Sequence, residues 1–176
     1  MVTLETDRLL LRPFTLEDMS SLDSIFMDPK VMAYSDGIKT KAQIEFWLGE
    51  ALHRLYPVGL GPLAVVRKED HNFLGYCGLF LMPDLGEYDE LEIGFRLGTA
   101  AWGKGFATEA ALAIKRYAIS TLGANRLICL IDPGNLGSIR VAEKLGMSFE
   151  KEAWLPGYTH PDHIYALKNL EEPLGM

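Results

Sequence analysis

The 176-residue sequence predicts a single α/β domain of the α+β type, 1–176, in which helices flank one mixed, mostly antiparallel sheet. Three observations predict it. Short apolar runs separated by polar or Gly/Pro turns occupy residues 63–97, the pattern of an antiparallel meander. Residues 91–123 run strand, glycine-rich loop, helix. A second strand and helix follow over 127–145, and two closing strands over 148–154 and 163–167. No internal repeat, linker or low-complexity segment interrupts the order.

Leu9 and Leu11 alternate with Arg8, Leu10 and Arg12 in a first strand that Pro13 stops. Thr15 with Glu17 and Asp18 marks a capped, acid-rich helix start. Met19, Leu22, Ile25 and Phe26 then recur on one face until Asp28-Pro29. Val31, Met32 and Tyr34 lie in an irregular piece before a second helix from about Lys41. That helix carries an apolar stripe of Ile44, Trp47, Leu48, Ala51 and Leu55, with Trp47 assigned to the core. Residues 56–62 form a turn-rich connector, 63–66 and 73–81 two strands joined by the polar hairpin 68–72, and 83–86 a loop into the next strand. In that strand Leu91, Ile93, Phe95 and Leu97 alternate against Glu92, Gly94 and Arg96. A glycine inside a strand marks a bulge or a close backbone approach, and the adjoining loop favours a bulge at Gly94.

The loop 98–104 and the helix after it carry the first functional signal. Phe106, Ala110, Ile114, Tyr117 and Ala118 recur at helical spacing up to Gly123, a left-handed cap. The first amides of a helix have no intrahelical partner and sit at the positive end of its dipole. With Gly103 and Gly105 in the turn, no side chain separates a phosphate from the backbone, and Lys104 adds a positive charge. A phosphate-bearing ligand on the amides of residues 103–107 follows. A dinucleotide competes, since Gly103-x-Gly105-x-x-Thr108 approaches G-x-G-x-x-G/A and Asp132 stands where a ribose-binding acid would. Against it, Thr108 fills the third small position, and residues 99–103 separate strand from helix where that fingerprint needs an immediate turn.

The segments E-I-G-F and W-G-K-G-F-A-T-E-A resemble the acyl-CoA-binding segment of the GNAT N-acetyltransferase superfamily, Gln/Arg-x-x-Gly-x-Gly/Ala, with Ala100 at its first position. The Trp before the first Gly is similar to the branch that acetylates ribosomal-protein N-termini. T-D-R-L-L-L-R-P-F-T-L-E-D (6–18) and N-L-G-S-I-R-V-A-E-K-L-G-M (135–147) resemble that branch's opening strand and its second CoA-side helix. The resemblance implies a GNAT-like acyl-CoA N-acyltransferase fold with splayed middle strands and acetyl-CoA as co-substrate. It implies contacts to acetyl-CoA from Phe95, Arg96, Leu97, Trp102, Gly103, Lys104, Gly105, Phe106, Ala107, Asn135 and Arg140. A Glu at the place of Glu92 often acts in the family as base, directly or through water. The family's Tyr general acid falls on Ala142, so that route is closed here; Ser138 is the candidate proton donor. Asn135 reads on physics alone as an N-cap, with Gly146 as the matching C-terminal glycine.

The acceptor expected from the resemblance is a protein or peptide α-amine, with a small-molecule amine next and a non-catalytic acyl-CoA sensor as the reading from another class. Tyr34, Trp154, Tyr158 and His160 flank the acceptor cleft in this architecture; His163 is a further base candidate. Glu87, Asp89 and Glu90 could recruit a cationic acceptor. A net charge of −7 without a basic cluster excludes a nucleic-acid surface. No apolar run reaches membrane-span length and the N-terminus lacks a signal pattern, so the expected compartment is the cytoplasm, with no membrane partner. Cys77 and Cys129 read as buried free thiols, with no disulfide and no metal spacing. A monomer or homodimer is expected.

Overall fold

The computed structural model describes residues 2–82, 85 and 89–167. The strands β1 (Leu4–Glu5), β2 (Leu9–Pro13), β3 (Gly61–Arg67), β4 (Phe73–Met82), β5 (Glu90–Leu97), β6 (Ile128–Ile131), β7 (Ser148–Ala153) and β8 (Asp162–Ala166) form one sheet. Its order is β1-β2-β3-β4-β5-β6-β8-β7. All neighbours are antiparallel except β5 and β6, which run parallel. The helices are α1 (Met19–Phe26), α2 (Lys41–Glu50), α3 (Phe106–Ser120) and α4 (Leu136–Lys144).

Strand alternation assigns each face its helices. Leu9, Leu11, Leu63, Val65, Cys77, Leu79, Ile93 and Leu97 pack with Ala110, Ile114 and Ala118 of α3 and Val141 and Ala142 of α4. The opposite face presents Ala64 and Tyr76 to Leu22, Ile25, Phe26, Ile44 and Leu48 of α1 and α2. Trp47 belongs to that second core, its ring centroid 4.9 Å from Phe26 and 5.1 Å from Tyr76. Thr15 opens the first helical turn as expected: its amide donates to Asp18 Oδ2 at 2.8 Å, and Arg12 grips the same carboxylate. Among the described residues no helix is long and apolar enough to cross a membrane.

Several boundaries differ from expectation. β1 is two residues long, too short to show alternation. Pro13 pairs with Leu63 as the last residue of β2 rather than stopping it. β3 begins at Gly61, inside the expected connector. The bulge at Gly94 is not formed, because β4 and β5 stay in register from Gly75↔Leu97 to Met82↔Glu90. Gly94 is instead a close-approach glycine: a Cβ there would stand 2.8 Å from the Phe80 ring. The expected 83–86 loop, apart from Leu85, and Glu87 lie outside the described residues.

Glu90 does not face an acceptor either. Arg126 binds it through Nε at 2.9 Å and reaches Glu150 through Nη2 at 2.7 Å, tying the start of β5 to β7. The Glu90 side chain is only 11% exposed. Removing its cation strands a buried carboxylate, which costs about 3–5 kcal/mol in a dry site. With Arg126 itself about a third exposed, the expected loss for Arg126→Met is about 2 kcal/mol. Thermal unfolding checks it as a Tm lower by about 4–8 °C.

Candidate active site

Beyond its one pairing, Glu92↔Ile128, β5 parts from β6. The divergence opens a cleft of about 900 Å³ that runs from the start of α3 to the start of β8. A thiol spans the divergence near its apex, the Cys129 Sγ–H donating to the Ile93 carbonyl at 3.3 Å. Burial pushes that thiol's pKa well up, so both cysteines are buried free thiols and neither is a nucleophile.

The loop after β5 supplies one end of the cleft. A short turn over Thr99–Ala101 leads to Gly103 and Gly105, whose φ values of 71° and 80° suit glycine and strain any residue with a Cβ. Glu109 donates the first helical bond of α3, to the Gly105 carbonyl at 3.0 Å. Among the described residues the amides of Phe106, Ala107 and Thr108 have no backbone partner. Gly103, Gly105, Phe106, Ala107 and Thr108 line the cleft, so these orphan donors meet it at the positive end of a 15-residue helix.

Arg8 buttresses this turn. It lies 4.4 Å over the Phe106 ring, donates to the Lys104 carbonyl at 3.0 Å, and binds Glu109 in the first turn of α3. Trp102 is 51% exposed, with its indole N–H donating to the Leu97 carbonyl at 2.7 Å, which pins the loop to the strand it left. Lys104 departs from expectation. Its ammonium donates to the Ala100 carbonyl at 2.8 Å and it is not among the cleft residues. A short loop satisfies its own last-turn carbonyl with the nearest cation, so the charge serves the turn.

Phe95, Arg96 and Leu97 all border the cleft, Arg96 donating from Nη1 to the Met32 sulfur at 3.1 Å. Glu92 shares the Arg96 face of β5 and opens onto the same space. Burial pushes its carboxyl up to about 7, and the Asp162 charge adds to that. The Leu130 amide and Arg96 hold it partly down.

On the far side, Asn135 caps α4, its Oδ1 accepting from the Ser138 amide at 3.1 Å. The cap uses one oxygen and leaves the Asn135 amide donors for a ligand. Ser138 and the exposed Arg140 line the cleft, as does Lys144, one turn beyond Arg140 and absent from the sequence expectations. Ala142 is fully buried against α3 and offers no hydroxyl.

The other end of the cleft is acidic. Asp132, just after β6, and Asp162, opening β8, line it together with Tyr34 and Tyr158. His160 stands behind Asp132, its Nε2 3.3 Å from Oδ2. Trp154 is exposed and away from the cleft, and His163 packs on Phe149 beside Glu152. Sequence reasoning weighed Asp132 only as a ribose partner and missed Asp162. The signal available was P-D-H, a carboxylate at the entry of an apolar strand.

The sequence matches the acetyltransferase (GNAT) domain over residues 8–148. It is 36% identical over 167 residues to YkkB of Bacillus subtilis, covering 94% of this chain and 95% of that protein. It is 32% identical to p20 of Bacillus licheniformis, an uncharacterized N-acetyltransferase, over 90% of this chain and 88% of p20. Among solved structures, an acetyltransferase from Agrobacterium tumefaciens superposes with a TM-score of 0.80 at 26% identity, covering 96% of this chain and 95% of that one. The ribosomal-protein-S5-alanine acetyltransferase of Vibrio fischeri shares the fold, with a TM-score of 0.74 at 17% identity over 98% of this chain and all of that one. A family match over residues 8–148, on a sheet whose middle strands diverge above a glycine turn, makes this chain an acetyltransferase of the GNAT family.

Proposed function

We propose that the protein transfers an acetyl group from acetyl-CoA to the N-terminal α-amine of a peptide or protein, directly, in a ternary complex. The observation that carries this reading is one cleft that holds both helix amides without a backbone partner among the described residues and a carboxyl pushed up to about 7. The α3 amides suit the phosphates of acetyl-CoA. The diverging face of Phe95–Leu97 suits its extended arm, with Asn135 and Arg140 opposite.

Glu92 sets the choice of amine. Its carboxylate, once ionised, accepts a proton best from an acid of similar pKa. Neutralising an α-amine near 8 costs about 1.4 kcal/mol at pH 7, and a lysine amine about 4.6. Glu92 takes that proton directly or through a water. The freed nitrogen lone pair forms the N–C bond at the thioester carbonyl, and collapse of the tetrahedral oxyanion breaks the C–S bond. The thiolate, conjugate base of a thiol near pKa 8.5, needs only a weak proton donor. Ser138, which lines the cleft, is the hydroxyl proposed for it, and Ala142 offers none. The products are an N-acetyl amide and CoA thiol, with the amine's proton passed to solvent.

A CoA-release assay tests the acceptor. Peptides with a free α-amine are expected to release CoA, and Nα-acetylated peptides whose only amine is a lysine side chain are expected to release none. Release by the blocked lysine peptides alone would overturn the α-amine reading.

A further inference from the structure

Asp162 is the least satisfied polar group in the described structure. It is 6% exposed, and its Oδ1 has no hydrogen-bond partner among the described residues. A buried acceptor left without a donor costs about 1–3 kcal/mol. The residue nevertheless lines the acceptor end of the cleft.

Its nearest polar neighbour in the cleft is a second carboxylate. Asp132 turns Oδ1 back to the Gly134 amide at 2.7 Å and leaves Oδ2 toward His160. His160 places Nδ1 3.2 Å from the Pro161 carbonyl and Nε2 3.3 Å from Asp132 Oδ2, so both ring nitrogens face oxygen acceptors. One polar atom from each of Asp132, His160 and Asp162 falls within 4.8 Å of the others. No lysine or arginine among the described residues pairs with either carboxylate. An ammonium donates to carboxylates at about 2.8 Å, so one cation can bridge two oxygens that lie as close as those of Asp132 and Asp162. Tyr34 packs over the 132–134 turn, its Cε1 3.3 Å from where a Cβ on Gly134 would stand, and Tyr158 lies close enough to feel the Asp162 charge. Aromatic walls favour an organic cation over a hydrated metal ion.

The place relative to the chemistry is set by β6. Glu92 meets the Leu130 amide, and Asp132 lies two residues further along the chain, about 7 Å on. We propose that Asp162 and Asp132, with His160 behind them, form a subsite that binds a second cationic group of the acceptor, one linker of about four or five carbons away from the amine that reacts at Glu92. This rests on the acetyl-transfer reading and narrows it to dicationic acceptors. The second cation is the side chain of a basic residue at a peptide N-terminus, or the far end of a free diamine.

The test uses two matched pairs in the CoA-release assay: a peptide beginning with lysine against the same peptide beginning with norleucine, and 1,4-diaminobutane against butylamine. In the wild type the member of at least one pair that carries a second cation is expected to exceed its partner, which has only the reacting amine, in kcat/KM tenfold or more, and that pair identifies the source. In Asp162→Asn the ratio is expected to fall to near one. Asp132→Asn is the second variant, should the first fail to fold, with the same expected fall. Turnover of the acceptors without a second cation, and no preference in either pair, would overturn the subsite and leave acetyl transfer standing. An equal loss for both members in the variant would make Asp162 structural and overturn it as well. No turnover with any of the four acceptors would overturn the transfer reading together with the subsite. Stoichiometric zinc or manganese in the purified protein, lost in Asp162→Asn, would replace the ammonium with a metal ion and overturn the proposal.

Discussion

Glu92→Gln is expected to lower kcat by about 10²–10⁴ while the acetyl-CoA dissociation constant stays within twofold. Gln keeps the shape and one acceptor oxygen but cannot take a proton. The contacts proposed for the donor lie on the α3 amides and the 95–97 face, away from the carboxyl. The wild-type kcat/KM should rise with pH through an apparent pKa near 7, where the buried Glu92 ionises, and this limb should vanish in the variant. A wild type without turnover, binding acetyl-CoA equally well in both forms, would make the protein a sensor instead.

The same substitution should stabilise the fold. An unfolded Glu titrates at about 4.3, and in the folded protein Glu92 titrates at about 7. The folded state therefore holds this proton more tightly than the unfolded chain. Stability from this group is greatest in acid and falls as pH rises from about 4 through 7. Discounted for the carboxyl's opening onto the cleft, the penalty above pH 7 is of order 1–3 kcal/mol. Glu92→Gln removes it, so its Tm at pH 8 should exceed the wild type's by about 2–12 °C and match it near pH 4. An activity loss accompanied by a gain in stability is the mark of a group held in strain for function.

Gly105→Val is expected to weaken acetyl-CoA binding at least tenfold. Gly105 holds φ at 80° as the residue before α3, and a β-branched side chain there costs about 1–2 kcal/mol in backbone strain. Relief of that strain turns the first amides of α3 away from the cleft. The new side chain would also press on Arg8, whose Nη2 is 3.4 Å from the added Cβ. Gly123→Val is the control at the other end of the same helix. Gly123 has φ 68° and nothing within 4 Å of an added Cβ, so the variant carries similar strain far from the loop. It should lose stability and keep acetyl-CoA affinity, as read by titration of the two variants side by side.

What could be read from the chain was what is local. Gly103 and Gly105 announce positive φ by themselves, and the stripe from Phe106 to Ala118 specifies α3 with no knowledge of its partners. Glu92 could be placed on the polar face of its strand by counting in twos. Features that depend on a neighbour distant in sequence were not accessible. Gly94 reads as a bulge until Phe80 is seen beside it, where it is a close approach instead. Lys104 looks like a ligand for phosphate until its ammonium is found on the Ala100 carbonyl. Glu90 looks like a free acid until Arg126, 36 residues on, closes over it. Asp132 and Asp162 come together only because β6 and β8 pair, with Ile131 opposite His163. The glycine turn and α3, built within one stretch of chain, are therefore readable from the sequence; the carboxylate pair assembled from the ends of β6 and β8 is not.

The most direct test of the account is calorimetric titration of the purified protein with acetyl-CoA, CoA and NAD in parallel. The account predicts one micromolar site per chain for acetyl-CoA and CoA and no heat with NAD. Binding of NAD alone, or silence for all three, would contradict it, and the turn at Gly103 and Gly105 would then be a structural connection only.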